Sequence, residues 1–121
     1  MLNIPQAHLD PVRRAMWEVV NGAGTAGASR LNIPGIEMCG KTGTAQVRRL
    51  SASASRGQGG DWRYRDHGLF VFFAPFDKPR YAGAVVIEHG MGGARAAAPV
   101  AKDVLTYLFD RPAALKRLAE L

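Results

Sequence analysis

The stretch GIEMCGKTGTAQ, residues 35–46, decides the fold because it can be read in two incompatible ways. Its first eight residues satisfy G-x-x-x-x-G-K-T, the glycine-rich pattern whose backbone amides cradle phosphates between a buried strand and a helix. Residues 41–44, K-T-G-T, read instead as extended backbone carrying a cation, two hydroxyls and a glycine. The flanks decide between them. SRLNIP precedes the stretch, with Pro34 abutting Gly35, and GTAQVRRLS follows Thr42 with a glycine, β-branched residues and no apolar helical stripe. An acidic residue ending a buried apolar strand, needed to hold Mg²⁺ in a phosphate site, is also missing: Pro75 interrupts FVFFAPFD, and VLTYLFD lies in a helical pattern. The phosphate-loop reading is therefore rejected, and a strand is expected over residues 36–48.

On such a strand Lys41 is a fixed cation, Thr42 and Thr44 offer hydroxyls that can bind a carboxylate, and Gly43 removes a side chain where another backbone must come close. An exposed edge would accept an extended peptide as an added strand and would let the Thr44 N–H face the oxygen of a tetrahedral intermediate. Strict alternation places Lys41 on the face opposite Thr42 and Thr44, so the three converge only where a site wraps around the strand edge.

Working outward, Asp10-Pro11 reads as a helix start, with Asp10 as cap, Pro11 at the first helical position, and Val12, Ala15, Met16, Val19 and Val20 as the apolar stripe. Asn21-Gly22 ends this helix, and a Gly/Ser/Pro-rich connector leads to the strand. Residues 49–66 are small, polar and glycine-rich and read as an insertion loop. HGLFVFFAPF and YAGAVVIE form a buried hairpin joined by Asp77-Lys-Pro-Arg80. After HGMGG, Ala97, Val100, Ala101, Val104, Leu105 and Leu108 recur at helical spacing, with Pro99 in the first turn and Pro112 as the stop; the last nine residues suit one more short helix. The order predicts an α+β fold: an antiparallel sheet of about three strands packed by N- and C-terminal helices.

The 121 residues are the length of one small domain, and 47% hydrophobic composition suffices for a core. A net charge of +6 favours an anionic partner, but the arginines are dispersed and lack the regularly spaced aromatics of a nucleic-acid platform, so no nucleic acid is expected. No run of roughly eighteen apolar residues exists and the N-terminus lacks a signal-peptide pattern, so no membrane span or export signal is expected in these residues. The lone Cys39 reads as a buried strand cysteine and fits either redox compartment. Asp66, His67 and His89 stand singly without zinc spacing, so neither metal nor cofactor is expected. Trp17 and Trp62 read as packing and loop-anchoring residues, and Phe70, Phe72, Phe73 and Phe76 as core or helix-facing.

The combination KTGTAQ, a basic glycine-containing loop, RDHGLFVFFAPFDKPRYAGAVVIEHG and a closing Ala-rich helix resembles the C-terminal part of the transpeptidase domain of class B penicillin-binding proteins, nearest the penicillin-binding protein 2 subgroup of cell-wall elongation. The resemblance covers roughly residues 8 to 110. It implies part of a β-lactamase/transpeptidase-like fold, with residues 1–121 forming the C-terminal portion of an incomplete domain. It further implies a parent serine D,D-transpeptidase on the periplasmic side of the cytoplasmic membrane, its anchor outside this chain. Its expected partners are peptidoglycan stem peptides, β-lactam antibiotics and a membrane glycosyltransferase of the elongation machinery. Lys41 is then the catalytic cation, hydrogen-bonding towards the serine of an S-x-N motif. Thr42, Gly43 and Thr44 bind substrate, the two hydroxyls holding a donor-peptide or β-lactam carboxylate, and the Thr44 N–H is half of the oxyanion hole. The family acylates a serine in S-x-x-K; neither that motif nor S-x-N occurs among Ser29, Ser51, Ser53 and Ser55, so this chain alone is expected to be inactive. The alternatives are a non-catalytic fragment binding peptidoglycan or an anionic polymer, an inert fragment with exposed core surface, and a β-lactamase-like fragment.

Overall fold

A computed structural model describes residues 2–47 and 61–121. Along these the chain runs as helix α1 (Gln6–Asn21), strand β1 (Cys39–Ala45), hairpin strands β2 (His67–Ala74) and β3 (Tyr81–Ile87), then helices α2 (Ala98–Phe109) and α3 (Arg111–Ala119). The sheet is antiparallel throughout, in the order β1-β2-β3. The α+β expectation holds. None of the described helices is long and apolar enough to cross a membrane.

Helix α1 begins earlier than Asp10. Pro5 takes the cap position in extended conformation, its carbonyl accepts the His8 and Leu9 amides, and Pro11 lies inside the helix. The Asp10 carboxylate is engaged by the Gln6 side chain one turn back and does not cap. Pro5 needs no helical donor at the cap position, whereas Pro11, which follows residues 6–10 of the helix, leaves the Ala7 carbonyl without its helical donor. Of the expected stripe, Val20 is buried and Met16 and Val19 half-buried, while Val12 and Ala15 are exposed, so only the C-terminal half of α1 packs. Asn21 ties that end to the next element by donating through Nδ2 to the Met38 carbonyl at 2.8 Å.

The strand expected from residue 36 starts at Cys39, because Ile33, Pro34, Gly35 and Ile36 form a turn closed by Ile36 N–H to the Ile33 carbonyl at 3.2 Å. Proline second and a glycine at φ 76° third is the type II arrangement. The glycine that opened the phosphate-loop pattern is thus a turn residue, and Lys41 sits mid-strand. The strand also ends earlier than expected, at Ala45, with Gln46 and Val47 outside it. Arg48 and most of the 49–66 loop fall outside the described residues, and what is described of that loop, residues 61–66, contains a single 3₁₀ turn at Trp62–Tyr64 capped by Asp61.

Phe70, Phe72 and Ala74 alternate inward from β2 and meet Val20, Ala26, Met38, Ala97, Ala98, Ala101 and Leu105 in one core. Phe73 and Phe76 lie outside it, under α1: the Arg13 guanidinium sits 5.8 Å and 5.5 Å from their ring centres, and Trp17 packs 6.4 Å from Phe76. A π-helical turn at Gly93–Ala97 feeds α2, which buries Ala98, Ala101 and Leu105 and leaves Val100, Val104 and Leu108 more than a third exposed. Pro112 does not end α2. Asp110 interrupts the helix and caps α3, accepting the Ala113 amide at 3.2 Å, with Pro112 in the first turn of α3.

Candidate functional site: the KTGT strand

β1 is an end strand, and among the described residues no strand pairs with its other edge. Its register on β2 pairs Lys41 with Val71, Thr42 with Phe70, Gly43 with Leu69 and Thr44 with Gly68. Thr42 and Thr44 therefore share the face that carries Phe70, while Lys41 and Gly43 share the other, as alternation requires. Lys41 is exposed and folds its ammonium back to the Thr42 carbonyl at 2.8 Å, so the positive charge lies against the backbone of the hydroxyl-bearing residues despite the opposite face. Thr44 is exposed and Thr42 half-buried.

The Thr42 hydroxyl lies 3.1 Å from that of Thr25, in the connector after α1. Nothing in the sequence around Thr25 singled it out, since the contact spans seventeen residues and depends on how α1 docks. Close backbone approach does occur at Gly43, but from the opposite partner: a Cβ on Gly93 would lie 2.0 Å from the Leu69 carbonyl oxygen and about 3 Å from the Gly43 nitrogen and oxygen. A Cβ on Gly43 itself would meet only Leu69 Cβ at 3.5 Å, an ordinary contact. The glycine that the packing demands is Gly93, in the HGMGG run that sequence reasoning passed over as a connector.

Cys39 is buried, as expected for a strand cysteine. Burial first, and the Glu37 carboxylate second, push its thiol up to about 12, with Arg13 opposing; this is an inert thiol, not one activated by Lys41. Among the described residues no three His, Cys, Asp or Glu groups converge as a metal site. Trp62 anchors the loop as expected, edge-on to His89 at 5.2 Å, although 56% of it remains exposed.

An antiparallel sheet ending in an open K-T-G-T strand and closed by an Ala-rich helix is the arrangement expected of a penicillin-recognising transpeptidase. Residues 1–106 match the family described as Penicillin binding protein transpeptidase domain, and the chain belongs to that family. Among its relatives, the peptidoglycan D,D-transpeptidase MrdA of Haemophilus influenzae is 32% identical over 91% of this chain, and that of Acinetobacter baumannii 40% over 79%. The chain spans only 17% and 14% of the length of these two curated relatives. Of solved structures, Pseudomonas aeruginosa PBP2 in complex with WCK 5153 is similar at a TM-score of 0.67 and 39% identity, covering 91% of this chain and 21% of that one. Helicobacter pylori PBP2, in a complex with MreC, is similar at 0.67 and 28%, covering 92% and 19%.

Proposed function

We propose that this chain is the C-terminal portion of the catalytic domain of a serine D,D-transpeptidase that cross-links peptidoglycan stem peptides during cell-wall elongation and is acylated by β-lactams. The observation that carries the reading is the open end strand bearing Lys41, Thr42 and Thr44. The nucleophile is supplied by residues outside the 121, and this chain supplies one wall of the site. Lys41 brings positive charge and a hydrogen bond to the neighbouring catalytic serine motif, the Thr42 and Thr44 hydroxyls hold the substrate carboxylate, and the Thr44 N–H stabilises the tetrahedral oxyanion. The parent works on the periplasmic side of the cytoplasmic membrane beside a membrane glycosyltransferase; the MreC complex of the Helicobacter pylori relative supports a protein partner for it as well.

Two measurements test this. The 121-residue chain should take up no labelled penicillin in a denaturation-resistant form, because nucleophile and activating lysine are both missing; stoichiometric labelling would sink the reading. In the parent, Thr44→Val keeps the β-branched shape and the backbone N–H and deletes only the hydroxyl. Losing a hydrogen bond to a carboxylate costs about 1.5 to 3 kcal/mol, so acylation by carboxylate-bearing β-lactams should slow by about one to two decades. A neutral thioester substrate should be nearly unaffected, and equal losses on both substrates would refute the assignment of the Thr44 side chain.

A further inference from the structure

Beyond the far end of β1, four hydrogen bonds tie together segments distant in sequence. The His89 N–H donates to His67 Nδ1 at 2.9 Å, His89 Nδ1 bonds the Arg65 carbonyl at 2.9 Å, the Met91 N–H donates to the Asp66 carbonyl at 2.8 Å, and the Val47 N–H donates to Asp66 Oδ1 at 3.3 Å. The two imidazoles lie 4.9 Å apart between centres. His89 and Met91 both adopt left-handed backbone conformations, φ 56° and 67°, which side-chain-bearing residues take only when their surroundings hold them there.

The segment held in this way packs against the site. A Cβ on Gly68, the partner of Thr44, would lie 3.0 Å from the Gly92 carbonyl carbon and oxygen, and Gly93 lies against the backbone of Gly43 and Leu69. The backbone of residues 89–93 is therefore a buttress behind Gly43 and Thr44, and its anchor is the pair of bonds from His89 and Met91 to residues 67 and 66. A backbone amide can donate to His67 Nδ1 only if that nitrogen carries no proton, so His67 is the tautomer protonated on Nε2; a carbonyl can only accept, so His89 carries its proton on Nδ1.

We propose that His67 is a positioning residue for the Thr44 end of β1, acting through the residue 89–93 turn. Its acceptor nitrogen holds the turn in its left-handed form, and the turn fixes where the Gly43 and Thr44 backbone stands. The consequence for acylation rests on the transpeptidase reading of β1; the positioning itself does not, and it can be measured on the 121-residue chain.

The experiment compares His67→Asn, whose side-chain oxygen can occupy the acceptor position, with His67→Phe, which keeps an aromatic ring and has no acceptor. By NMR, His67→Phe should raise hydrogen exchange at the Met91 amide by about tenfold and shift the Gly43 and Thr44 backbone resonances, while His67→Asn should restore most of both. Equal behaviour of the two variants, or unmoved Gly43 and Thr44 signals in His67→Phe, overturns the proposal. Should His67→Phe fail to fold, the imidazole ¹⁵N spectrum of the unsubstituted chain decides: an unprotonated, hydrogen-bonded Nδ1 on His67 is expected, and a protonated Nδ1 overturns it. In the parent, an acylation defect following the same Phe-versus-Asn order joins the two readings. Intact positioning effects in the 121-residue chain, with a parent that no β-lactam acylates, would refute the transpeptidase reading and leave His67's role standing.

Discussion

Gly93→Ala should be the most damaging alanine substitution among the described glycines. The added Cβ would lie 2.0 Å from the Leu69 carbonyl oxygen, 2.9 Å from the Gly43 oxygen and 3.0 Å from the Gly43 nitrogen. Even a favourable carbon–oxygen contact stands at about 3.3 Å, so the first shortfall is about 1.3 Å, and all three obstacles are backbone atoms that no rotamer change can move. Either the turn lifts off the sheet or the β1–β2 ladder opens. Overpacking of this kind costs about 1 to 3 kcal/mol, and a backbone-to-backbone clash belongs at the upper end. At about 4 °C per kcal/mol for a domain of this size, the midpoint of thermal unfolding by circular dichroism should fall by roughly 12 °C. Gly43→Ala is the control, since its Cβ meets only Leu69 at 3.5 Å and should leave the midpoint nearly where it was. A Gly93→Ala midpoint equal to the control's would show that the turn does not press on the strand, and would refute the buttress geometry with it.

Cys39 should resist maleimide in the folded chain near pH 8 and react on unfolding. Burial disfavours its thiolate in the folded state, pushing the thiol from about 9 up to about 12, so the stability held below pH 9 should fall as pH rises from 9 through 12, visible as a difference between the wild type and Cys39→Ala in denaturant titrations. Asp110→Ala removes the acceptor of the Ala113 amide and should cost about 1 kcal/mol, read as lost helicity and earlier fraying of α3. Thr25→Val should slow acylation of the parent by carboxylate-bearing β-lactams by up to about tenfold, because a Thr42 hydroxyl that donates to the carboxylate needs Thr25 as its own donor; a faster rate would mean that Thr25 competes with the ligand.

The elements that local pattern controls were legible. FVFFA and YAGAVVI alternate or run apolar between prolines and turn residues, and the hairpin formed where expected, but only β2 is buried: Ala82, Gly83, Ala84 and Val86 of β3 are exposed, because β3 is the sheet's other end strand. Ala101 and Leu105 were placed on the buried stripe of the closing helix. What escaped depends on partners far along the chain. Pro5 and Pro11 are equally good helix-start signals, and only the engagement of Asp10 by Gln6 and of the first amides by Pro5 shows which one acts. Pro112 stops one helix or starts another according to whether Asp110 caps, which spacing alone does not decide. Of the residues proposed for the site, Lys41, Thr42 and Thr44 could be named from sequence because their chemistry is in the side chains themselves. Thr25, His67 and Gly93 were not, because each matters through a contact with backbone or hydroxyl that exists only once the sheet is formed.

The sheet leaves two edges unpaired among the described residues, one on β1 and one on β3, and bare edges attract extended chains without discrimination. What separates them is chemistry. β3, YAGAVVI, offers one phenol and otherwise aliphatic side chains, whereas β1, CGKTGTA, carries an ammonium and two hydroxyls within four residues. Three approaches to β1 are conceivable, and packing removes the first. The face of Thr42 and Thr44 also carries Phe70 and is pressed at Gly68 and Gly43 by residues 92 and 93, so a ligand cannot lie flat upon it. The opposite face is open at Val71, and Lys41, the charged group of β1 on that face, turns away to the Thr42 carbonyl. On the function proposed above, a ligand backbone runs along the edge, where the threonine hydroxyls and the lysine charge are the groups available to an anion. An extended peptide ending in a carboxylate meets all of these conditions together, and a neutral strand gains nothing at β1 that β3 does not offer.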